Sequence, residues 1–528
     1  VLPVQATFQK ALQLHQAGRL PKAQTLYRSI LRTHPQHFDS LHLLGAALIQ
    51  TGQAGEGVAF IGKALRLKPG HAEAHYNLAL GRQMLGDFAA ALSAIETALA
   101  LAPRDAEYLF ESGNVLRDLN RPDEAMVRYD AALRLRPSFA EAHNNKGNAL
   151  REAGHPAEAV ASYDRAIGLK PGYAEAHNNR GSALKDLNRL DEALTSFNTA
   201  ISLAPDDPSF ARNRGHLLLL MGQFPAGLKD YEARKHAARD PSRTIKTRKP
   251  PWLGREEIRG KTILVHWEQG LGDTIQFARL VPLLAGRGAE VLFSPQRQLR
   301  RLMTSLAGPQ RLVDDRDDTL AYDFHIPLLS TMLALGTGVN SIPQGVPYLA
   351  PEPQRVAFWR DAVKKTGTDL TIGICWQGGT SGVDRGRSFH VEAFLPLARL
   401  PGVRLVSLHK GAGEAQLAAL PPGMRVETLA AGFDEGPDAF MDTAAVISLC
   451  DLVITSDTAV AHLAGALGAR TWVALKQVPD WRWLTGREDS PWYPTMRLYR
   501  QTSAGDWASV FARMEEDLRH HLATRTLT

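Results

Sequence analysis

Two loops in the second half of the chain hold residue types that do group-transfer chemistry. The first is Gly270-Leu271-Gly272-Asp273, which follows the apolar run Thr262–His266 and opens a helix. Its glycines let a ligand approach the backbone closely, and Asp273 opens the helix as a cap. The second runs from Ser456 through Asp457, Thr458, Ala459 and His462 to Gly468, after the apolar run Asp451–Thr455. Free backbone N–H groups and the positive end of the helix that starts near Thr458 make a seat for a phosphate. Asp457 and Thr458 are placed to reach a sugar or ribose, while His462, one turn in, suits either a ligand contact or a core position. The glycines do not have Gly-x-Gly-x-x-Gly spacing, and there is no Gly-x-x-x-x-Gly-Lys-Ser/Thr, so the sequence gives no support for a P-loop. Asp314-Asp-Arg-Asp-Asp318 contains an Asp-x-Asp but reads as a solvated loop. No His/Cys/carboxylate set has metal-ligand spacing, and no metal is expected.

These loops need strands to carry them. From Lys261 onward, short apolar runs alternate with helical stretches. Runs at Thr262–His266, Ala289–Ser294, Thr371–Trp376, Arg404–Leu408, Asp451–Thr455 and Thr471–Leu475 predict parallel sheets covered on both faces. The reading is α/β with two Rossmann-like domains, at 260–360 and 361–528, the second closed by a C-terminal helix. Ligands in such sheets sit beyond the carboxyl ends of the strands, where both loops fall.

The first half follows a different pattern. Prolines stand at Pro35, Pro69, Pro103, Pro137, Pro171 and Pro205, each 34 residues after the last. A turn residue keeps the same step: Gly18, Gly52, Gly86, Asn120, Gly154, Asn188, Gly222. Five positions on comes a small residue (Ala23, Gly57, Ala91, Ala125, Ala159, Ala193, Gly227), and four further a large one (Tyr27, Ile61, Ile95, Tyr129, Tyr163, Phe197, Tyr231). Gly or Asn ends a first helix in the left-handed conformation. The small residue admits the partner helix, the large one fills the seam, and proline closes the unit. The period therefore predicts an α-solenoid of about seven helix pairs over residues 1–236. Such an array binds and does no chemistry. Asn77, Asn145, Asn179 and Asn213 share one register position, at which Leu43 and Glu111 also stand. They are candidate contacts to a protein acceptor, or they cap turns and face solvent.

Bulk numbers restrict the rest. Of the net charge, 61 − 55 = +6, the stretch Arg234–Arg259 supplies nine Lys/Arg against three acids, and so all of it. That pattern describes a solvated basic linker, assigned to 237–259, rather than a nucleic-acid arm, although it could position an anionic substrate. Cys375 and Cys450 lie in apolar runs and cannot build a disulfide framework, which indicates a reducing, cytoplasmic setting. No run approaches a membrane span, and no signal peptide is evident.

The 34-residue helix–turn–helix unit with these marks resembles the tetratricopeptide repeat. Its asparagine row resembles the ladder with which protein O-GlcNAc transferases hold an extended peptide. Gly-Leu-Gly-Asp273 and Ser-Asp-Thr-Ala-Val-Ala-His462 resemble the heptosyltransferase group of GT-B glycosyltransferases. Pro479-Asp-Trp-Arg-Trp483 with Asp489-Ser-Pro-Trp-Tyr493 resembles the bacterial subset joined to tetratricopeptide repeats, which includes flagellin-modifying enzymes. The resemblance implies a metal-independent glycosyltransferase that needs no cofactor beyond its nucleotide-sugar co-substrate. Its acceptor would be a protein such as flagellin; an envelope or lipid-linked glycan acceptor and a non-catalytic scaffold are the alternatives. It also implies Asp273 as general base and Gly272, Ser456, Asp457, Thr458, Ala459 and His462 along the donor. Lys410, Gly378, Gly379, Arg387 and Ser388 would face the donor phosphates. The family's basic run appears here as Asp384-Arg-Gly-Arg-Ser388, with Gly386 interrupting it.

Overall fold

The computed structural model describes residues 4–236, 245, 247–364, 369–379 and 386–524. The chain divides into two compact units, Val1–Pro205 and Asp206–Thr528.

The first unit is a run of antiparallel helix pairs, from Val4–Gln16 with Leu20–Thr33 to Ala174–Asp186 with Leu190–Leu203. The turn residues behave as the spacing predicts. Gly18, Gly52, Gly86, Asn120, Gly154 and Asn188 all have positive φ, from 58° at Asn120 to 89° at Gly154. The left-handed residue lets the chain reverse and hydrogen-bond the last turn, as His155 N–H does to the Leu150 carbonyl at 2.8 Å. The small and large marks are fully buried, among them Ala125, Tyr129, Ala159, Tyr163, Ala193 and Phe197. A further mark, outside the sequence reading, explains how the rings fit. Three of them lie against a glycine of the first helix: a Cβ on Gly113 would come within 2.5 Å of the Tyr129 ring, one on Gly147 within 2.6 Å of Tyr163, and one on Gly181 within 2.9 Å of Phe197.

The second unit begins with one more helix pair, Pro208–Leu220 and Phe224–Tyr231. The repeat pattern thus continues past the boundary between the units, and its last pair packs with the α/β half. Phe224 and Tyr231 meet Trp481 with ring centroids 5.9 and 6.1 Å apart. Arg234, read as part of a solvated basic connector, is instead buried and forked onto Glu268 at 2.7 and 2.9 Å. The first part of the expected linker, 237–244 and 246, lies outside the described residues. Farther along it, Trp252 is buried and its backbone N–H donates to the His325 carbonyl at 2.9 Å, which docks this stretch on the first sheet.

Two parallel sheets follow. The first has the order β3-β2-β1-β4, with β1 Thr262–His266, β2 Glu290–Ser294, β3 Arg311–Leu312 and β4 Phe324–Pro327. The second has the order β10-β9-β8-β5-β6-β7, with β5 Leu370–Cys375, β6 Val403–Ser407, β7 Val426–Glu427, β8 Leu452–Ser456, β9 Thr471–Leu475 and β10 Met496–Arg500. The expected α/β half is therefore present, with β1 and β8 both inside their sheets. Helix Trp507–Thr524 closes the second domain, laying Phe511, Met514 and Leu518 on a core that contains Trp376 and Trp472.

The glycine–ring seam yields a stability prediction. Gly147→Ala should lower stability by about 1–3 kcal/mol through overpacking against Tyr163, read as a fall in the urea midpoint. Gly172→Ala, where an added Cβ meets nothing within 4 Å, should leave the midpoint nearly unchanged. Equal shifts in the two variants would contradict the seam.

Candidate functional site

The carboxyl ends of β1 and β8 carry the two loops, and the loops touch. A Cβ on Gly272 would lie 3.2 Å from both Ala459 Cα and His462 Cδ2, so only glycine lets helix Leu271–Phe277 approach helix Ala459–Ala466 this closely. The two loops are thus in direct contact. Asp273 accepts the Gly270 N–H at 2.8 Å, a capping contact, and its other oxygen accepts from Arg482. Both the cap reading and a placement among charged groups therefore hold for Asp273.

Arg482 organises this cluster. Its guanidinium is buried, bridges Asp273 and Asp480 (2.8 Å to the latter), donates to Gln276 Oε1 at 2.8 Å, and lies 4.6 Å from the Trp481 ring centre. Burial pushes the Asp273 carboxyl above the ordinary value, with Arg482 opposing it. At Asp480 burial acts in the same direction but is outweighed by Arg482 and its hydrogen bonds, and the carboxyl is held low. Asp457 is pushed up to about 6, first by burial and then by the Asp480 charge, against Arg387 and Arg482. Asp273, Asp457, Arg387, Asp480 and Arg482 thus share one field. The last two were quoted from the sequence only as part of a motif. The signal that could have marked Arg482 is a lone basic residue between two tryptophans, where burial demands a carboxylate partner.

The other loop residues divide by burial. His462 stacks on Trp483 at 5.3 Å and 9°, and its Nδ1 pairs with the Tyr493 hydroxyl at 3.2 Å. Burial, then the Arg482 charge, lowers its pKa to about 3, so the ring is neutral and acts as core beneath the loop. Ser456 is fully buried, and its Oγ has no hydrogen-bond partner among the described residues. Thr458 is buried, with its hydroxyl 3.1 Å from that of Thr455. Asp457 and Ala459 are partly exposed, which leaves them and the helix end open to a ligand. Gly378 N–H donates to Ser388 Oγ at 3.1 Å, and Arg387 lies against Gly378. The structure therefore joins Gly378, Arg387 and Ser388, with Gly379 next to them, while Asp384 and Arg385 fall outside the described residues. Lys410 is exposed, its Nζ 5.9 Å from the Phe433 ring centre.

A cavity of about 630 Å³ opens beside this cluster at the ends of β1, β2 and β3, lined by Trp267, Gly270, Gln296, Arg297, Asp314 and Asp315 among others. Asp314, Arg316, Asp317 and Asp318 are exposed, as a solvated loop should be. Asp315 is only partly exposed, and burial, then Asp314, raises its carboxyl pKa. This loop, set aside on sequence grounds, thus forms one wall of the cavity.

In the first unit the asparagine row is a connected chain. Asn178 Nδ2 donates to Asn179 Oδ1 at 3.4 Å, Asn179 to Asn144 at 3.1 Å, Asn144 to Asn145 at 3.1 Å, and Asn145 to Asn114 at 2.8 Å. Asn114 then donates to Glu111 Oε2 at 3.0 Å. Asn114 Oδ1 also accepts from the Tyr129 hydroxyl at 2.9 Å, and Asn144 and Asn178 are buried, so the partly exposed Asn145 and Asn179 are the amides placed to reach a peptide backbone. Asn77 stands apart, 2.9 Å from His42 Nε2. Asn213, on helix Pro208–Leu220 of the second unit, is partly exposed. The four expected positions are therefore not one continuous row, whereas Asn114, Asn144 and Asn178, outside the 34-residue register that singled them out, complete it. Burial pushes the Glu111 carboxyl up to about 6, against the Asn114 hydrogen bond.

Comparison with known proteins bears on the repeats. The tetratricopeptide repeat model matches residues 8–72, 76–138, 113–174, 144–208 and 178–241. Protein FlbA of Caulobacter vibrioides is 28% identical over 331 residues, 58% of this chain. The match spans 54% of that relative's length. Among solved structures, a tetratricopeptide repeat protein from Parabacteroides merdae is 16% identical with TM-score 0.40, covering 45% of this chain and 94% of its own. One from Thermus thermophilus is 24% identical with TM-score 0.31, covering 34% of this chain and 99% of its own.

Two outcomes follow. Arg482→Met strands Asp273 and Asp480, and should cost about 3–5 kcal/mol at pH 7, partly regained in acid as the stranded carboxylates protonate; denaturant titration at two pH values measures both effects. For Glu111, the folded state holds the proton more tightly than the unfolded chain, so wild-type stability should fall by about 2 kcal/mol as pH rises through the interval from 4.5 to about 6. Glu111→Gln should lack this loss, and parallel pH profiles would refute it.

Proposed function

We propose that this chain is a glycosyltransferase with the two-domain GT-B layout, acting in the cytoplasm on a protein acceptor recruited by the repeats. The observation that carries this reading is the contact of the Gly270–Asp273 loop with the open end of helix Ala459–Ala466, at the carboxyl ends of β1 and β8. Ligands of parallel α/β sheets bind there, and the helix end with Arg387 suits the phosphates of a nucleotide-sugar. Lys410 would add a point charge to the departing phosphate. The 630 Å³ cavity on the Asp273 side is roomy enough for the acceptor hydroxyl and its surroundings.

In this scheme the acceptor oxygen attacks the anomeric carbon as the bond from that carbon to the phosphate oxygen breaks. The nucleotide leaves with the bonding electrons. The hydroxyl proton passes to Asp273, which Gly270 N–H and Arg482 hold in one orientation. No covalent enzyme intermediate is needed, and closure of the site would exclude water from the donor. Flagellin is the first acceptor to test, on the resemblance of the motifs to flagellin-modifying transferases.

One observation favours a second reading, a scaffold that binds nucleotide without turnover: both Asp273 oxygens already accept hydrogen bonds. The two readings separate by intact-mass analysis of flagellin incubated with the full chain and a panel of nucleotide-sugars. Wild type should add a sugar mass. Asp273→Asn, which keeps the shape, should lower the rate about 10²–10⁴-fold. A product yield unchanged in that variant would remove Asp273 as the base.

A further inference from the structure

Glu111 occupies the register position held by Asn77, Asn145 and Asn179, but it carries a charge where they carry an amide. The residue is 7% exposed, so water screens it little. Its hydrogen bond comes from Asn114 Nδ2 at 3.0 Å, and no Lys, Arg or His lies within ion-pair distance of it among the described residues. The cation that acts on it, Arg117, is 3.9 Å from Glu152 instead. A buried carboxylate without a counter-ion is costly and is retained where something else supplies the positive charge.

The surroundings fit a cation. Tyr76, one position before the ladder register in the preceding repeat, lies close enough for the Glu111 charge to act on its phenol, although burial is the larger influence there. Its ring stacks on that of Tyr108 at 5.0 Å and 24°. Aromatic faces beside a carboxylate hold ammonium and guanidinium groups by combined ion-pair and cation–π attraction. The amide chain ends on Glu111, so a backbone lying along the asparagines would bring a side chain to this point.

We propose that Glu111 is the specificity-determining position of the repeat groove, receiving a Lys or Arg side chain of an extended protein segment whose backbone lies along the asparagine chain. This rests on the reading of the repeats as a peptide-binding groove and adds which side chain they select. A serine hydroxyl would satisfy the carboxylate's hydrogen bonding but not its charge, so the basic residue is the better occupant.

The test is selection of a displayed library of unstructured random peptides on the full-length chain. Wild type should enrich Lys or Arg at one position by about tenfold over Gln, less at high salt. Glu111→Gln keeps the shape and should retain peptides while losing that enrichment; a thermal melt checks its fold, and Glu111→Asn, the residue type of Asn77, Asn145 and Asn179 at this register position, serves if Gln fails. Peptides retained by wild type without a basic preference, or the same preference in Glu111→Gln, overturn the proposal alone. No retained peptides, or retention indifferent to Asn145→Ala with Asn179→Ala, overturns the groove reading beneath it.

Discussion

The buried guanidinium of Arg482 fixes the geometry of the α/β half. It comes from the segment after β9, yet its partners include Asp273 and Gln276 on the helix after β1, so one side chain ties the ends of two sheets together. A charge this deep is tolerable only with its carboxylates in place, and each carboxylate is tolerable only with the guanidinium. This mutual dependence holds Gly272 against Ala459 and His462, which places both loops. The planar fork matters as well as the charge, since Arg482 contacts Asp273, Asp480 and Gln276 together while lying over Trp481.

The repeats rely on close approach instead of charge. A ring on the second helix lies against a bare glycine on the first, and a left-handed Gly or Asn lets the chain turn between them. Each seam is local, so the unit extends by repetition without long-range contacts. The asparagine chain is the exception, since it links side chains from three successive pairs into one polar path that ends on a carboxylate.

Much of this was legible in the sequence because it is periodic or local. The 34-residue step gave the helix pairs, the left-handed turns and the buried ring positions, and the alternation after Lys261 gave the parallel strands. The loops at Asp273 and Ser456 could be placed because each follows a recognisable strand. What escaped depends on contacts between distant residues. The partnership of Arg482 with Asp273 spans a sequence separation of 209 residues, and no local pattern encodes it. The burial of His462 under Trp483 and Tyr493 comes from a later segment folding over the loop. The amide chain steps between neighbouring register positions, so a search at a single position finds only part of it. Arg234 looked solvated because its neighbours are basic, while its carboxylate partner, Glu268, belongs to the first strand's loop.

The last helix pair, Pro208–Leu220 and Phe224–Tyr231, has the repeat's sequence but not the repeat's allegiance. Its rings cover Trp481, so the α/β half has taken one repeat into its own core. Sequence modularity and physical modularity therefore part company by one unit. A recombination event that exchanged whole repeat arrays at the end of the pattern would carry this wall away and bare the aromatic cluster. An exchange at Pro205/Asp206 would leave it standing. Lineages that shuffle binding arrays on such an α/β half should accordingly vary the repeats upstream of this junction and inherit the last pair together with the sheets.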